Sequence, residues 1–152
     1  MTDIDIEFEH IWLEVSAERW AHIERFLLSY YCLAHGLVTR QGKADWEQLR
    51  SSAPRSLQVN HIKGCELEPV VPYAVVVGEI KRHWRDGKLT KPLLRRLLQS
   101  LLHFVVITKD EKNRLKKAGL INAMPAEWYQ SDKQHLDCRF TSAGISIMDF
   151  GC

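Results

Sequence analysis

The chain lacks any long apolar run. Its longest hydrophobic candidates are broken by Lys, Arg or His before they reach the ~20 residues that a membrane-spanning helix needs. Glycine and proline are scarce, at 8 and 5 residues, which excludes collagen-like and linker-like chains. No internal repeat or low-complexity stretch is present, and no linker divides the sequence. The chain also has no Gly-rich phosphate loop and no Gly-x-Ser-x-Gly elbow, so P-loop and hydrolase chemistry find no support. The opening residues, MTDIDIEFEH, are acidic and lack the basic flank and apolar core of a secretory signal, so a cytoplasmic location is the expectation. Cysteine is limited to Cys32, Cys65, Cys138 and Cys152, widely spread, which argues against a disulfide framework.

What is present fits a globular domain. Of the 152 residues 45% are hydrophobic and 26% charged, enough to build one core, and a single domain over 1–152 is expected. The net charge of +2 conceals an uneven distribution. Met1 to Tyr30 holds seven acids against two bases, whereas Lys81 to Lys117 holds twelve bases against three acids. An acidic face and a basic face follow.

Patterning predicts a helix-rich α+β fold with a few short strands. Acid and apolar residues alternate over 3–9 (Ile4, Ile6, Phe8), which reads as a short strand. Ser16 is placed to cap a helix carrying Trp20, Ile23, Leu27, Tyr30 and Ala34 on one side, with Gly36 to end it. A short helix is expected over Ala44 to Ser51 and a strand over residues 57–62. Pro72 suits the first turn of a helix running to about Arg85 and stopping at Gly87, although Val75–Val77 also fits a strand. Thr90 and Pro92 open another helix with a wide leucine face. Phe104 to Ile107 reads as a buried strand. Thr108 and Glu111 form a capping box for a basic helix that Gly119 closes. A Met-Pro turn with Trp128 packed on it follows, and Ile145 to Phe150 alternates as a last strand.

Three constellations carry chemistry. Cys32-x2-His35 and His61-x3-Cys65 offer two short-spaced pairs of thiolate and imidazole, the ligands zinc prefers, and a structural zinc or another divalent metal is one expectation. Each of the four also has a plain structural reading: Cys32 in the core, His35 capping a helix end, His61 and Cys65 in a loop. A second constellation starts from the same histidine. Leu57-Gln58-Val59-Asn60-His61-Ile62 resembles the first strand of the HNH endonucleases, where a phrase V-[DN]-H-I carries the catalytic histidine. The resemblance covers residues 25–85. It implies His61 as the general base that activates a water, His83 as a metal ligand, and Cys32-x2-His35 as half of a zinc pair. The sequence departs from that family in having no asparagine near Val75–Val77 to orient the base.

The third is a basic stretch suited to phosphate contact: Lys81, Arg82, Arg85, Lys91, Arg95 and Arg96, then Lys109, Lys112, Arg114, Lys116 and Lys117. Helix-turn-helix, zinc-finger and RNA-recognition signatures are lacking. The expected function is therefore nucleic-acid-directed, by binding or by metal-dependent cleavage. The alternative is a non-enzymatic interaction protein, of mobile-element or phage-inhibitor type, acting on a protein partner through its acidic and basic faces.

Overall fold

The structure, a computed structural model, describes residues 1–130 and 135–147. Its contacts divide into two compact units: Met1–Leu49 with Val76–Leu102, and Arg50–Val75 with the described residues from His103 onward. Among the described residues helices dominate, with a sheet of two antiparallel strands, so the helix-rich α+β class holds.

The first unit begins with α1 (Asp3–Ser16), where a strand was expected. Thr2 accepts from the Asp5 amide while the Asp5 carboxylate accepts from the Thr2 amide, a capping box that satisfies the first helical donors. The buried residues Phe8, Ile11 and Val15 follow helical spacing, which outlasts the short alternation at residues 4–8. Ser16 is the last residue of α1 and not a cap. Glu18, at φ 55°, and a 3-10 turn over Trp20–His22 separate it from α2 (Glu24–Ala34). Gly36 takes φ +68° just after α2, a conformation open to glycine at little cost, so the expected stop is where the helix ends. The first half of the short helix α3 (Trp46–Ser52) closes this stretch at Leu49.

The last part of α4 (Tyr73–Arg85) and all of α5 (Lys91–Leu101) complete the first unit. Thr90 accepts from the Leu93 amide at 3.2 Å and Pro92 lies in the first turn, as the sequence requires. Val75, Val76 and Val77 are helical, and Gly87 follows the end of α4 at φ +68°.

In the second unit the expected strand over 57–62 is a loop. Hydrogen-bonded turns at Ser56–Val59 and Ile62–Cys65, with Gly64 at φ +79°, bend the chain there. The strand forms later, as β1 (Glu66–Pro69), paired antiparallel with β2 (Phe104–Ile107) in the register Glu66↔Ile107 to Pro69↔Phe104. Pro69 ends β1, where its missing N–H is tolerated. Behind the sheet, Val70, Val105, Ile107, Leu115, Phe140 and Ile145 form the buried core.

The basic helix α6 (Lys109–Lys117) follows β2 directly, and Gly119 succeeds it at φ +72°. Past α6, the Trp128 amide donates to Pro125 O at 3.0 Å where α7 (Ala126–Gln130) begins, and the Trp128 side chain is buried. α8 (Cys138–Ser142) supplies Arg139 and Phe140 to the interior. Of the last expected strand, Ile147 makes a single bridge to Ser56, and residues 148–150 lie outside the described residues.

Candidate nucleic-acid interface

The anchoring of α6 decides which of its cations are available. Glu111 N donates to Thr108 Oγ1 at 3.1 Å, and Thr108 N donates to Glu111 Oε1 at 2.9 Å. The same Glu111 Oε1 accepts a 2.6 Å hydrogen bond from Ser56 Oγ, with both residues buried. One carboxylate thus caps the helix and ties it to the loop after α3.

Two cations of α6 serve the fold. Lys112 Nζ lies 3.0 Å from Glu66 Oε2 and 3.2 Å from Glu68 Oε2 on β1. Burial pulls its pKa down, but hydrogen bonds and charge from these two glutamates outweigh burial and leave it raised. Arg114 donates to the Ala143 and Gly144 carbonyls at 3.3 and 3.2 Å and to Gln58 Oε1 at 3.3 Å.

Lys109, Lys116 and Lys117 make no ion pair with any described residue and are exposed. Asn113 stands among them, four residues after Lys109 and three before Lys116, so all four share a side of the helix. Two depressions adjoin there. One of about 380 Å³ is lined by Glu66, Lys109, Lys112, Asn113, Lys116 and Ile121. The other, about 310 Å³, is lined by Asp110, Asn113, Arg114, Lys116 and Lys117. Their rims offer ammonium groups and an amide donor, the chemistry that holds phosphate oxygens. Asn113 carried no weight in the sequence because it is uncharged, although its helical spacing from the lysines was readable.

In the first unit the basic stretch is largely engaged by local acids and rings. Lys91 Nζ lies 2.8 Å from Glu9 Oε1 and 5.8 Å from the centre of the Trp12 ring. Arg95 lies 3.5 Å from Asp5 Oδ1, with its guanidinium carbon 3.9 Å from the centre of the Phe8 ring. Arg82 pairs with Glu79 at 2.8 Å, whose hydrogen bond and charge raise its pKa against a smaller effect of burial. Lys81 sits 5.9 Å from the Trp20 ring centre. Arg85 and Arg96 are exposed without an ion pair to a described residue.

The expected metal ligands occupy different settings. Cys32 is fully buried near the end of α2, and burial, with the charge of Asp45 adding, pushes its thiol up. His35 caps α2, as its structural reading has it, with its ring 4.2 Å from that of Tyr31. In the second unit, Cys65 Sγ donates to His61 O at 3.3 Å, and Arg50 holds the same loop by donating to Ile62 O and, at 2.8 Å, to Cys65 O. The His61 side chain is exposed. His83, on the last turn of α4, has Nε2 3.4 Å from Arg82 Nη2. Among the described residues no three or more His, Cys, Asp or Glu side chains converge as a metal-binding group. No described helix is long and apolar enough to cross a membrane.

No protein-family model, curated protein or solved structure matches this chain.

Proposed function

We propose that the protein binds the phosphate backbone of a nucleic acid through the α6 face of Lys109, Asn113, Lys116 and Lys117. The observation that carries this reading is three exposed lysines without an acidic partner among the described residues, gathered with an amide around two adjoining depressions. Buried carboxylate contacts fix the helix that presents them, so the cationic array is ordered before it meets its ligand. Such contact is largely independent of sequence, because it is made to phosphates and not to base edges. Filter binding or fluorescence anisotropy with DNA and RNA oligonucleotides over a salt series tests it. Affinity should fall linearly with salt on logarithmic axes.

Cleavage is the catalytic form of the same proposal. His61, exposed on its loop, would act as the general base in the manner of the HNH enzymes it resembles, with a divalent cation assisting. Plasmid and RNA cleavage in magnesium, manganese or zinc, lost on His61→Ala with binding retained, would establish it. Binding without cleavage in any of these ions leaves the binding form alone.

A second reading, a protein partner, is favoured by α1. Ile6 and Leu13, seven residues apart on one stripe of that helix, are 40% and 64% exposed. The acidic face is the weaker part of that reading, since Asp5 and Glu9 are paired with Arg95 and Lys91.

A further inference from the structure

We infer that a cavity between α2 and α5 in the first unit is a binding site for a small planar anion, an aromatic ring bearing a carboxylate or phosphate group. The cavity measures about 310 Å³. That is at the small end of ligand clefts, room for one or two rings and not for a polymer. Tyr30, Tyr31, Ala34 and His35 line it from α2. Arg95, Leu98 and Gln99 line it from α5, with Leu102 at that helix's C-terminus.

Each wall has a chemical role. The rings of Tyr31 and His35, both lining the cavity, lie 4.2 Å apart at an interplanar angle of 32°, a tilted aromatic pair of the kind a further ring packs against. Leu98, buried, and Leu102 supply an apolar floor. Ala34 is the small residue whose side chain leaves the space open. Arg95 supplies the charge. Its guanidinium carbon lies over the Phe8 ring, 3.9 Å from the centroid, a cation–π contact that helps to place the charge before a ligand arrives. Its acidic partner, Asp5, is 3.5 Å away, long for a charge-assisted hydrogen bond, and with the Tyr30 hydroxyl as its other partner the five-donor guanidinium keeps capacity for another anion. Gln99 adds an amide at the rim.

A wholly apolar ligand would leave Arg95 and Gln99 without new partners, and a bare anion would leave the ring and leucine surfaces without a match. A ring and a negative charge on one small molecule satisfy both. This site is independent of the α6 face, and neither depends on the other being correct.

Amide chemical-shift titration of the full chain tests the site, with salicylate and adenosine 5′-monophosphate as probes and benzyl alcohol, acetate, adenosine and inorganic phosphate as controls. The expected result is saturable shifts at Tyr31, His35 and Gln99 with one or both ring-bearing anions, and binding of the matched controls weaker by about tenfold or more, the worth of a hydrogen bond to a charged group. Arg95→Gln should weaken the bound anion by a similar factor. Ala34→Phe should block the cavity while leaving the unfolding midpoint near that of the parent, which separates loss of the site from loss of the fold. Equal response to salicylate and benzyl alcohol, no saturable shift with either anion, or undiminished binding in Ala34→Phe would overturn the inference.

Discussion

Arg139 and Glu68 form a buried ion pair, with Arg139 Nη2 3.1 Å from Glu68 Oε1 and neither side chain substantially exposed. The arginine has further partners: Val70 O at 3.1 Å, Leu120 O at 2.8 Å, Ile121 O at 3.4 Å, and Pro69 O. Burial lowers the Arg139 pKa and the charge of Glu68 opposes that shift. On its other oxygen Glu68 meets Lys112 of α6. One guanidinium therefore joins the end of β1, the segment after α6 and α8, while one carboxylate joins β1 to the basic helix.

Arg139→Met should destabilise the second unit by about 3–5 kcal/mol, because it leaves Glu68 and several carbonyls buried without their donor. Arg139→Lys should recover little of this, since an ammonium cannot reach the same divergent set of acceptors. Urea unfolding followed by fluorescence measures both variants. Near-parental stability of the methionine variant would show that the cluster does not hold this unit together.

The capping of α6 is tested at Thr108 and Glu111. Thr108→Ala should cost about 1 kcal/mol, the usual worth of an N-cap. Glu111→Ala should cost more, because it also leaves the buried Ser56 hydroxyl without its acceptor. Ser56→Ala combined with Glu111→Ala should cost less than the two single changes added together. A double-mutant cycle in chemical denaturation gives the coupling, and strict additivity would refute the shared carboxylate.

Asp5 sets a pH dependence. The Thr2 side-chain hydrogen bond, then the Thr2 backbone hydrogen bond, hold its carboxyl below the usual 3.8, with Arg95 adding a smaller pull and burial opposing. A lowered carboxyl pKa contributes stability that is fully present above the unfolded value near 3.8 and is lost as pH falls through the folded value. Asp5→Asn should therefore lower stability at pH 6 and have a smaller effect with acidification below about pH 4. Unfolding midpoints across that range read the effect directly; a gap between the two proteins that widens toward acid would contradict it.

Thiol chemistry separates the settings of the cysteines. In single-cysteine variants Cys65, half-buried in its loop, should react with Ellman's reagent well before Cys32, which is fully buried with a raised thiol pKa. Equal rates in the native state would mean that the end of α2 opens readily.

Much of the fold was legible because its punctuation is local. Thr90 with Pro92, Thr108 with Glu111, and the glycines at 36, 87 and 119 mark helix ends through hydrogen bonds and backbone angles confined to a few residues. Two segments misled for the opposite reason. The alternation at Ile4, Ile6 and Phe8 fits a strand, and only the register continued by Ile11 and Val15 shows the helix. The sequence around His61 has the β-forming residues of a strand, yet pairing partners are long-range, and β2 pairs with Glu66–Pro69 instead. At the candidate interface the cluster of bases was plain in sequence. Which bases are tied was not, because Glu66 and Glu68 lie far from Lys112 along the chain, and Asp5 and Glu9 far from Arg95 and Lys91.

The salt dependence of nucleic-acid binding tests the central claim most directly. Lys109→Glu, Lys116→Glu and Lys117→Glu together should weaken binding at low salt and reduce the slope of log affinity against log salt by about 0.9 per lost duplex contact, or about 0.7 on a single strand. Reversal of Arg85 and Arg96 should leave that slope close to the parent value. An unchanged slope in the triple α6 variant, or no binding by the parent protein at low salt, would contradict the account.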